Sequence, residues 1–373
     1  MLRLKLDRVL ANLRSIGVDA CILTNTSFVK WLLPELHAPP IDRVAYAVLL
    51  DVANSNCIVY VPPLEAWRAI DLYGDSVDVV AVSKKSLELG KDIKVVDDHL
   101  ADVSKRIEGF KRIGCDSASF NEITRRFRDS VVVLVDSMIR RLRRNKMEEE
   151  IERIKKATEI AERALLNALN EIRPGMTELE IVSVLERELR RLGSRAYPFN
   201  TIVAVGKNAA YPHHVPCSTK FEGREPILID FGAWFEGYVS DITRMIIPKS
   251  LGEEYVDVVR GVEAVMNAIS ESLSHVHGGV KASELDGIAR SVLERYGYDK
   301  QFMHGLGHGV GVDVHEEPAI SPTSRDVLEK NDVVTIEPGI YLWGRWGVRI
   351  EELVVVKENG AEKLTKIPQV LEV

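Results

Sequence analysis

The chain has 373 residues, 46% of them hydrophobic and 28% charged. That is room for two domains and the composition of an ordinary globular protein, which excludes disordered and collagen-like classes. Forty-nine Lys and Arg against 56 Asp and Glu leave a net charge of −7, so no global positive field is available to neutralise a phosphate backbone, and nucleic acid is not expected as a partner.

Cys21, Cys57, Cys115 and Cys217 stand apart with no C-x-x-C pair. They read as isolated buried thiols in a reducing compartment, neither a zinc cage nor a disulfide framework. No apolar run reaches 18 residues, and the first seven residues alternate charge with Leu. Neither a membrane span nor a signal peptide is expected, and the expected location is cytoplasmic. The chain has only two glutamines, Gln301 and Gln369, a bias that fits selection against thermolabile amides in a hot-growing source.

In chain order, an amphipathic stretch from Leu4 to Leu13 is followed by apolar, β-rich runs beginning at Val18, Val44, Cys57, Val77 and Val131. Such runs between polar or helical stretches predict a layered α/β domain with a largely buried sheet. Near residue 140 the character changes to the charge-dense MIRRLRRNKMEEEIERIKK. This reads as a solvated helix with Glu to Lys pairs four apart, and the domain boundary is placed there, giving 1–140 and 141–373.

Beyond 141 the sequence repeats its grammar. Thr177-Glu-Leu-Glu180 has the form of a capping box after Pro174-Gly175, and Ser283-Glu-Leu-Asp286 resembles it loosely after Gly278-Gly279. Each helical part is followed by a histidine-containing loop and a strand pair, which predicts a duplicated α+β half with a site between the copies.

The first strand pair, 227–247, reverses at Phe235-Glu236-Gly237. A turn centred between 235 and 236 sets Asp230 opposite Asp241, and a slip toward Gly237 makes them diagonal neighbours on the same face. From this hairpin alone, a bound cation and a pair of exposed acids are both admissible. The second pair, 333–356, reverses at Gly344 and Gly347, and the even separation of Glu337 and Glu351 puts them on one face. Four converging acids are hard to stabilise without a divalent cation, and two ions sharing carboxylates are expected.

Between them lies 302-FMHGLGHGVGVDVHEEP-318. Its glycines at 305, 307, 309 and 311 rule against a helix and predict extended chain or loop stripped on one side, able to present His308 to the acids. The repeat offset makes His213 and His315 candidates to face each other across the site, while His214 reads as a partly exposed loop residue.

Asp230, Asp241, His308, Glu337 and Glu351, in the motifs IDFG, SDITR, HGLGHGVGVDVHEEP, IEPGIY and VRIEE, resemble the pita-bread metallopeptidases, most closely prolidases and aminopeptidases P. The resemblance is carried by 141–373 and is consistent over 1–140. It implies a duplicated α+β pita-bread catalytic domain preceded by a smaller α/β domain that helps form a homodimer and covers the neighbouring active site. It also implies two divalent ions, Mn, Co, Zn or Fe, on those five residues, with Asp241 and Glu351 as shared ligands. Glu337 would be the general base, and His315 and His213 would steady the oxyanion and handle the scissile nitrogen. His304 and Arg349 would contact substrate, a proline-containing peptide.

Two departures stand out. Prolidases commonly read H-E-E-P-R where this chain has Ala319, and Glu352 stands where Asp is usual. Without that arginine, which helps hold a dipeptide's carboxylate, the expected activity is that of an Xaa-Pro aminopeptidase, with Xaa-Pro dipeptidase as the alternative. Methionine aminopeptidases, creatinases and non-catalytic relatives fit the motifs less well.

Overall fold

The computed structural model describes residues 1–37, 45–90 and 93–373. Val44, the start of the second expected apolar run, lies outside them. The chain divides into two compact units, Met1–Arg143 and Arg144–Val373.

The first unit runs α1 Leu2–Ser15, β1 Ala20–Leu23, α2 Thr26–Leu32, β2 Ala47–Asp51, β3 Asn56–Val61, α3 Ala66–Tyr73, β4 Asp78–Val82, β5 Lys94–Val96, α4 His99–Arg106, β6 Arg112–Cys115, α5 Phe120–Arg126, β7 Val131–Leu134 and α6 Asp136–Arg144. Among the described residues its strands form one seven-stranded sheet in the order β5-β4-β3-β2-β1-β6-β7. Strands β1 to β3 pair antiparallel, and the flanking pairs are parallel. Helices α3 and α5 make the crossovers that parallel neighbours need. The apolar runs are its strands. Strands β5 and β6 escape a search for such runs because Lys94, Arg112 and Gly114 interrupt them. The edge strand β7 leaves Val131 and Leu134 half exposed, so the sheet is buried at its centre and open at this edge.

The second unit opens with α7 Glu148–Leu169 and α8 Glu178–Arg191, then β8 Ile202–Val205, β9 Ile227–Phe231, β10 Trp234–Phe235, β11 Tyr238–Val239 and β12 Ile242–Ile247. The copy follows as α9 Val256–His275, α10 Ala282–Arg295, β13 Gly307–Gly309, β14 Glu316–Ile320, β15 Val333–Ile336, β16 Gly339–Leu342, β17 Trp346–Arg349, β18 Glu352–Lys357, β19 Gly360–Lys363 and β20 Val370–Glu372. In each half two helices cover a sheet. Ala157, Ala161, Leu165, Ile181, Leu185 and Leu189 of α7 and α8 pack on Val203, Ile229 and Ile246. Val262, Val265, Ile269, Leu285, Ala289 and Val292 of α9 and α10 pack on Val334, Ile336, Val354 and Val356. Spacings of three and four put these residues on one helical face, and burying each large aliphatic contributes roughly 1.5–3 kcal/mol.

The charge-dense stretch is two helices rather than one. The chain is extended at Met147, whose N–H donates to Glu150 at 2.9 Å and starts α7 afresh. Nor is the stretch uniformly solvated: Arg144 reaches buried Asp332 at 2.7 Å and Lys146 reaches Glu316 at 2.8 Å. The exposed pairs Lys155–Glu152 and Lys156–Glu159 lie three residues apart, not four.

The Thr177 capping box forms, with Glu180 N–H on Thr177 Oγ1 at 3.2 Å and Thr177 N–H on Glu180 at 2.7 Å. Its loose copy does not cap. Helix α10 already begins at Ala282, and Asp286 instead accepts the Leu306 N–H at 3.0 Å and the Arg290 guanidinium at 2.7 Å.

Both hairpins form. In the first, Glu236 and Gly237 take φ of 45° and 88°, the doubly positive reversal that suits a tight hairpin. The resulting register pairs Asp230 with Thr243, leaving Asp241 diagonal to it. In the second, Gly344 (φ 74°) makes the reversal. Gly347 does not: it lies inside β17, where a Cβ would collide with the Ala209 carbonyl. Within the glycine ribbon, Gly307–Gly309 is a short strand. At Gly307 and Gly309 a Cβ would strike the carbonyls of Thr335 and Glu317, so bare backbone is what lets β13 fit between β14 and β15.

Candidate metal centre

Each hairpin contributes its acids from equivalent places. Asp230 lies near the end of β9 and Glu337 just beyond β15, while Asp241 and Glu351 each immediately precede the returning strand, β12 or β18. The hairpins are joined where the Glu351 N–H donates to the Thr243 carbonyl at 3.1 Å. This seam brings carboxylate oxygens of Asp230, Asp241 and Glu351 within 4.8 Å of one another, and a second group joins His308, Glu337 and Glu351 within the same span. Strand β13 delivers His308, whose Nε2 lies 3.2 Å from Glu337 and 3.7 Å from Asp241.

Burial, reinforced by Glu351, Asp230 and Glu337, drives the Asp241 carboxyl well above the ordinary range. Burial and the charges of Glu337 and Asp230 do the same to Glu351. Glu337 goes the other way, since the hydrogen bond and charge of His308 outweigh its burial and hold it below the usual value. Two atoms, Asp230 Oδ1 and Glu351 Oε1, are buried with no hydrogen-bond partner in the protein. Orphaned acceptors among mutually repelling carboxylates, with an imidazole alongside, are the donor set a divalent cation satisfies.

Arg349 frames the cluster. Its guanidinium donates to Asp230 Oδ2 at 2.6 Å, to the Tyr341 hydroxyl at 2.8 Å, to the Pro212 carbonyl at 3.2 Å and to Thr243 Oγ1 at 3.3 Å. Thr243 in turn donates to Glu351 at 3.0 Å. Arg349 borders the cavity, and with four of its five N–H donors engaged by the protein it positions Asp230.

The acids floor a cavity of about 850 Å³ that His213, His304 and His315 also line. His304 Nε2 lies 2.9 Å from the Tyr341 hydroxyl, and burial holds its pKa below the ordinary value. His315 stacks edge-on against His308 with ring centroids 4.2 Å apart. Burial and the neighbouring His308 keep it low as well. His213 is exposed at the rim. His214 is more than a loop residue: its Nε2 lies 2.8 Å from buried Glu178.

The structure adds residues that the motifs did not single out. Tyr341 links Arg349 to His304, and Thr243 links Arg349 to Glu351. Arg290 donates to the carbonyls of Phe302 and His304 and so anchors the histidine segment to α10. Strand alternation could have flagged Thr243, which is two residues from Asp241 and faces Asp230 across the hairpin. Tyr341 carries no such signal, because a tyrosine in a strand reads as core. Glu352 points away from the acids into a buried pair with Arg244 at 3.2 Å. It also accepts from Gln369 at 2.8 Å, so the longer side chain serves packing.

Residues 152–358 match the model of metallopeptidase family M24. The chain belongs to this family. Its duplicated second unit has the α+β pita-bread fold of these enzymes, preceded by the α/β unit, and a divalent metal accompanies their hydrolysis. An Xaa-Pro dipeptidase of Pyrococcus horikoshii is 38% identical over 266 residues, covering 70% of this chain and 75% of the relative. An Xaa-Pro dipeptidase of Pyrococcus furiosus is 42% identical over 232 residues, covering 62% and 66%. The crystal structure of an X-Pro aminopeptidase from Thermotoga maritima superposes with a TM-score of 0.80 at 33% identity, covering 96% of this chain and 99% of that one. Among the described residues no helix is long and apolar enough to cross a membrane.

Proposed function

We propose that this metallopeptidase hydrolyses the Xaa-Pro bond, with Xaa-Pro dipeptides as its first substrate class. The supporting observation is the cluster of Asp230, Asp241, His308, Glu337 and Glu351 with its two orphaned carboxylate oxygens. The names of two curated relatives, both Xaa-Pro dipeptidases, favour the dipeptide reading over the aminopeptidase expected from Ala319.

These five side chains would hold two divalent ions, with Asp241 and Glu351 between them. When bound, the ions supply Lewis acidity and make water acidic enough to lose a proton near neutral pH. Glu337, a carboxylate of the same set, accepts the proton of the attacking water and passes it to the scissile nitrogen. Where their Nε–H faces the developing oxyanion, His213 and His315 donate to it. His304, oriented by Tyr341, lines the wall against which proline lies.

One observation favours longer peptides. The only arginine or lysine among the described residues lining this cavity is Arg349, and its guanidinium is engaged by Asp230, Tyr341, Pro212 and Thr243. A dipeptide carboxylate would then rely on imidazoles, whereas an Xaa-Pro-Xaa peptide needs no anchor there.

Chelated protein, resupplied with Mn, Co, Zn or Fe, is to be assayed on Xaa-Pro and Xaa-Pro-Xaa peptides. Metal-restored cleavage of the dipeptide at equal or higher kcat/KM supports the dipeptidase. A clear win for the tripeptide establishes the aminopeptidase, and no cleavage of either with any ion overturns both. A homodimer, in which the first unit helps cover the neighbouring protomer's active site, is proposed on the family resemblance and is tested by light scattering.

A further inference from the structure

A second cluster of metal-ligating side chains lies where the 211–219 loop meets the start of α8. Glu178, the first residue of α8, is fully buried. One carboxylate oxygen accepts the Val205 N–H at 2.8 Å and the Asn208 amide at 2.9 Å. The other accepts the Cys217 N–H at 2.9 Å and lies 2.8 Å from His214 Nε2. Cys217 does not share the burial of the other three cysteines: its side chain is exposed, with Sγ 3.2 Å from the Thr219 hydroxyl. One ligand atom each from Glu178, His214 and Cys217 falls within 4.8 Å of the other two.

The loop that carries these groups is tied down. Glu178 N–H donates to the Thr219 carbonyl at 3.0 Å, Gly175 N–H to Phe221 at 2.7 Å and Phe221 N–H to Met176 at 2.8 Å. Carboxylate and imidazole are thus held in place before any ion arrives. The exposed thiol already lies within the same 4.8 Å span and completes the set.

We propose that Glu178, His214 and Cys217 form a second cation site, distinct from the carboxylate cluster, that takes a thiophilic divalent ion of the zinc class. Thiolate, imidazole and carboxylate make three corners of a tetrahedron, and water or the Thr219 hydroxyl supplies the fourth. The sulfur ligand selects against Mn and Mg. On binding, His214 offers its Nε2 lone pair to the ion, with the ring proton on Nδ1. The Cys217 thiol proton leaves to solvent, so the entering charge of two is matched by one thiolate and one carboxylate. Glu178 is suited to this role, because hydrogen bonds from Val205, His214, Asn208 and Cys217 overcome its burial and hold its carboxyl below the ordinary range. His214 borders the cavity, and His213 precedes it on the same loop. Occupancy therefore stiffens the wall that presents His213.

The test is a titration of metal-free protein with Co2+ as a spectroscopic stand-in for zinc. A thiolate ligand gives a near-ultraviolet sulfur-to-cobalt charge-transfer band that the sulfur-free carboxylate cluster cannot produce, and Cys21, Cys57 and Cys115 are buried. The band should grow to about one equivalent per chain and be bleached by added Zn2+. It should disappear in Cys217→Ser and Cys217→Ala, and His214→Ala should need at least roughly tenfold more Co2+. Circular dichroism of the variants confirms their fold. The proposal is overturned if wild-type protein, its carboxylate cluster filled as judged by the visible cobalt absorption, shows no such band, or if the band survives removal of Cys217.

Discussion

Arg349 grips Asp230 through a 2.6 Å ion pair in which both side chains are largely shut from solvent. Removing only the cation, as in Arg349→Met, leaves Asp230 uncompensated among other acids and should cost about 3–5 kcal/mol of stability in the metal-free protein. Arg349→Lys keeps a charge but cannot span Asp230, Tyr341, Pro212 and Thr243 together, so its loss should be smaller while metal affinity still falls. Urea denaturation of the chelated variants, with metal content measured in parallel, checks both.

The proposed roles of Asp241 and Glu337 separate in their readouts. Asp241→Asn should abolish activity and release at least one metal equivalent; a variant that retains both would refute the ligand assignment. Glu337→Gln should lower kcat by roughly 10²–10⁴-fold, the usual contribution of a general base. Metal analysis beside the assay shows how much of that loss comes from the ligand role.

Chelation should make stability pH-dependent in a particular direction. In the metal-free fold Asp241 and Glu351 titrate above their unfolded values of 3.8 and 4.5, so the folded state keeps protons that the unfolded chain releases. Their stabilising contribution is complete below the unfolded pKa and is lost as pH rises toward the raised folded value. Bound cations remove this penalty. The Tm gap between metal-loaded and chelated protein should therefore widen over the pH range above these unfolded values, by roughly 2–4 °C for each kcal/mol. Differential scanning calorimetry across that range reads it, and a gap that narrows would contradict the assignment.

Ala319 pairs with His308 across β13 and β14 and is itself exposed. Directly paired residues in an antiparallel ladder project to the same face, so Ala319→Arg would place a cation on the His308 side of the sheet. The ratio of kcat/KM for Xaa-Pro over Xaa-Pro-Xaa should rise by about tenfold, in line with one charge-assisted hydrogen bond of roughly 1.5–3 kcal/mol. An unchanged ratio would show that this position does not govern the choice.

The acids were legible in the sequence because two independent regularities agreed: strand alternation put each pair on one face, and the repeat offset aligned the pairs. The histidine ribbon was legible as extended chain because four glycines in seven residues exclude a helix. What stayed hidden depended on partners distant in sequence. The resemblance alone put Arg349 at the substrate, and spacing could not show that four of its five donors are engaged by Asp230, Tyr341, Pro212 and Thr243. Lys146 belonged to a run of charges that reads as solvated, and only tertiary structure sets it against Glu316. Gly347 looked like a turn residue, since a glycine needed for the Ala209 carbonyl to approach leaves the same mark as one needed for a reversal.

The backbone bond from Glu351 to Thr243 also dates the centre within the life of the chain. When a nascent polypeptide has emerged only as far as β12, Asp230 and Asp241 are present without His308, Glu337 or Glu351, and the neighbour that locks Thr243 in place does not yet exist. A half-made protein therefore offers an ion just two carboxylates on an unfinished surface. The full set of five donors therefore comes together only after Glu351 has been synthesised and docked against Thr243.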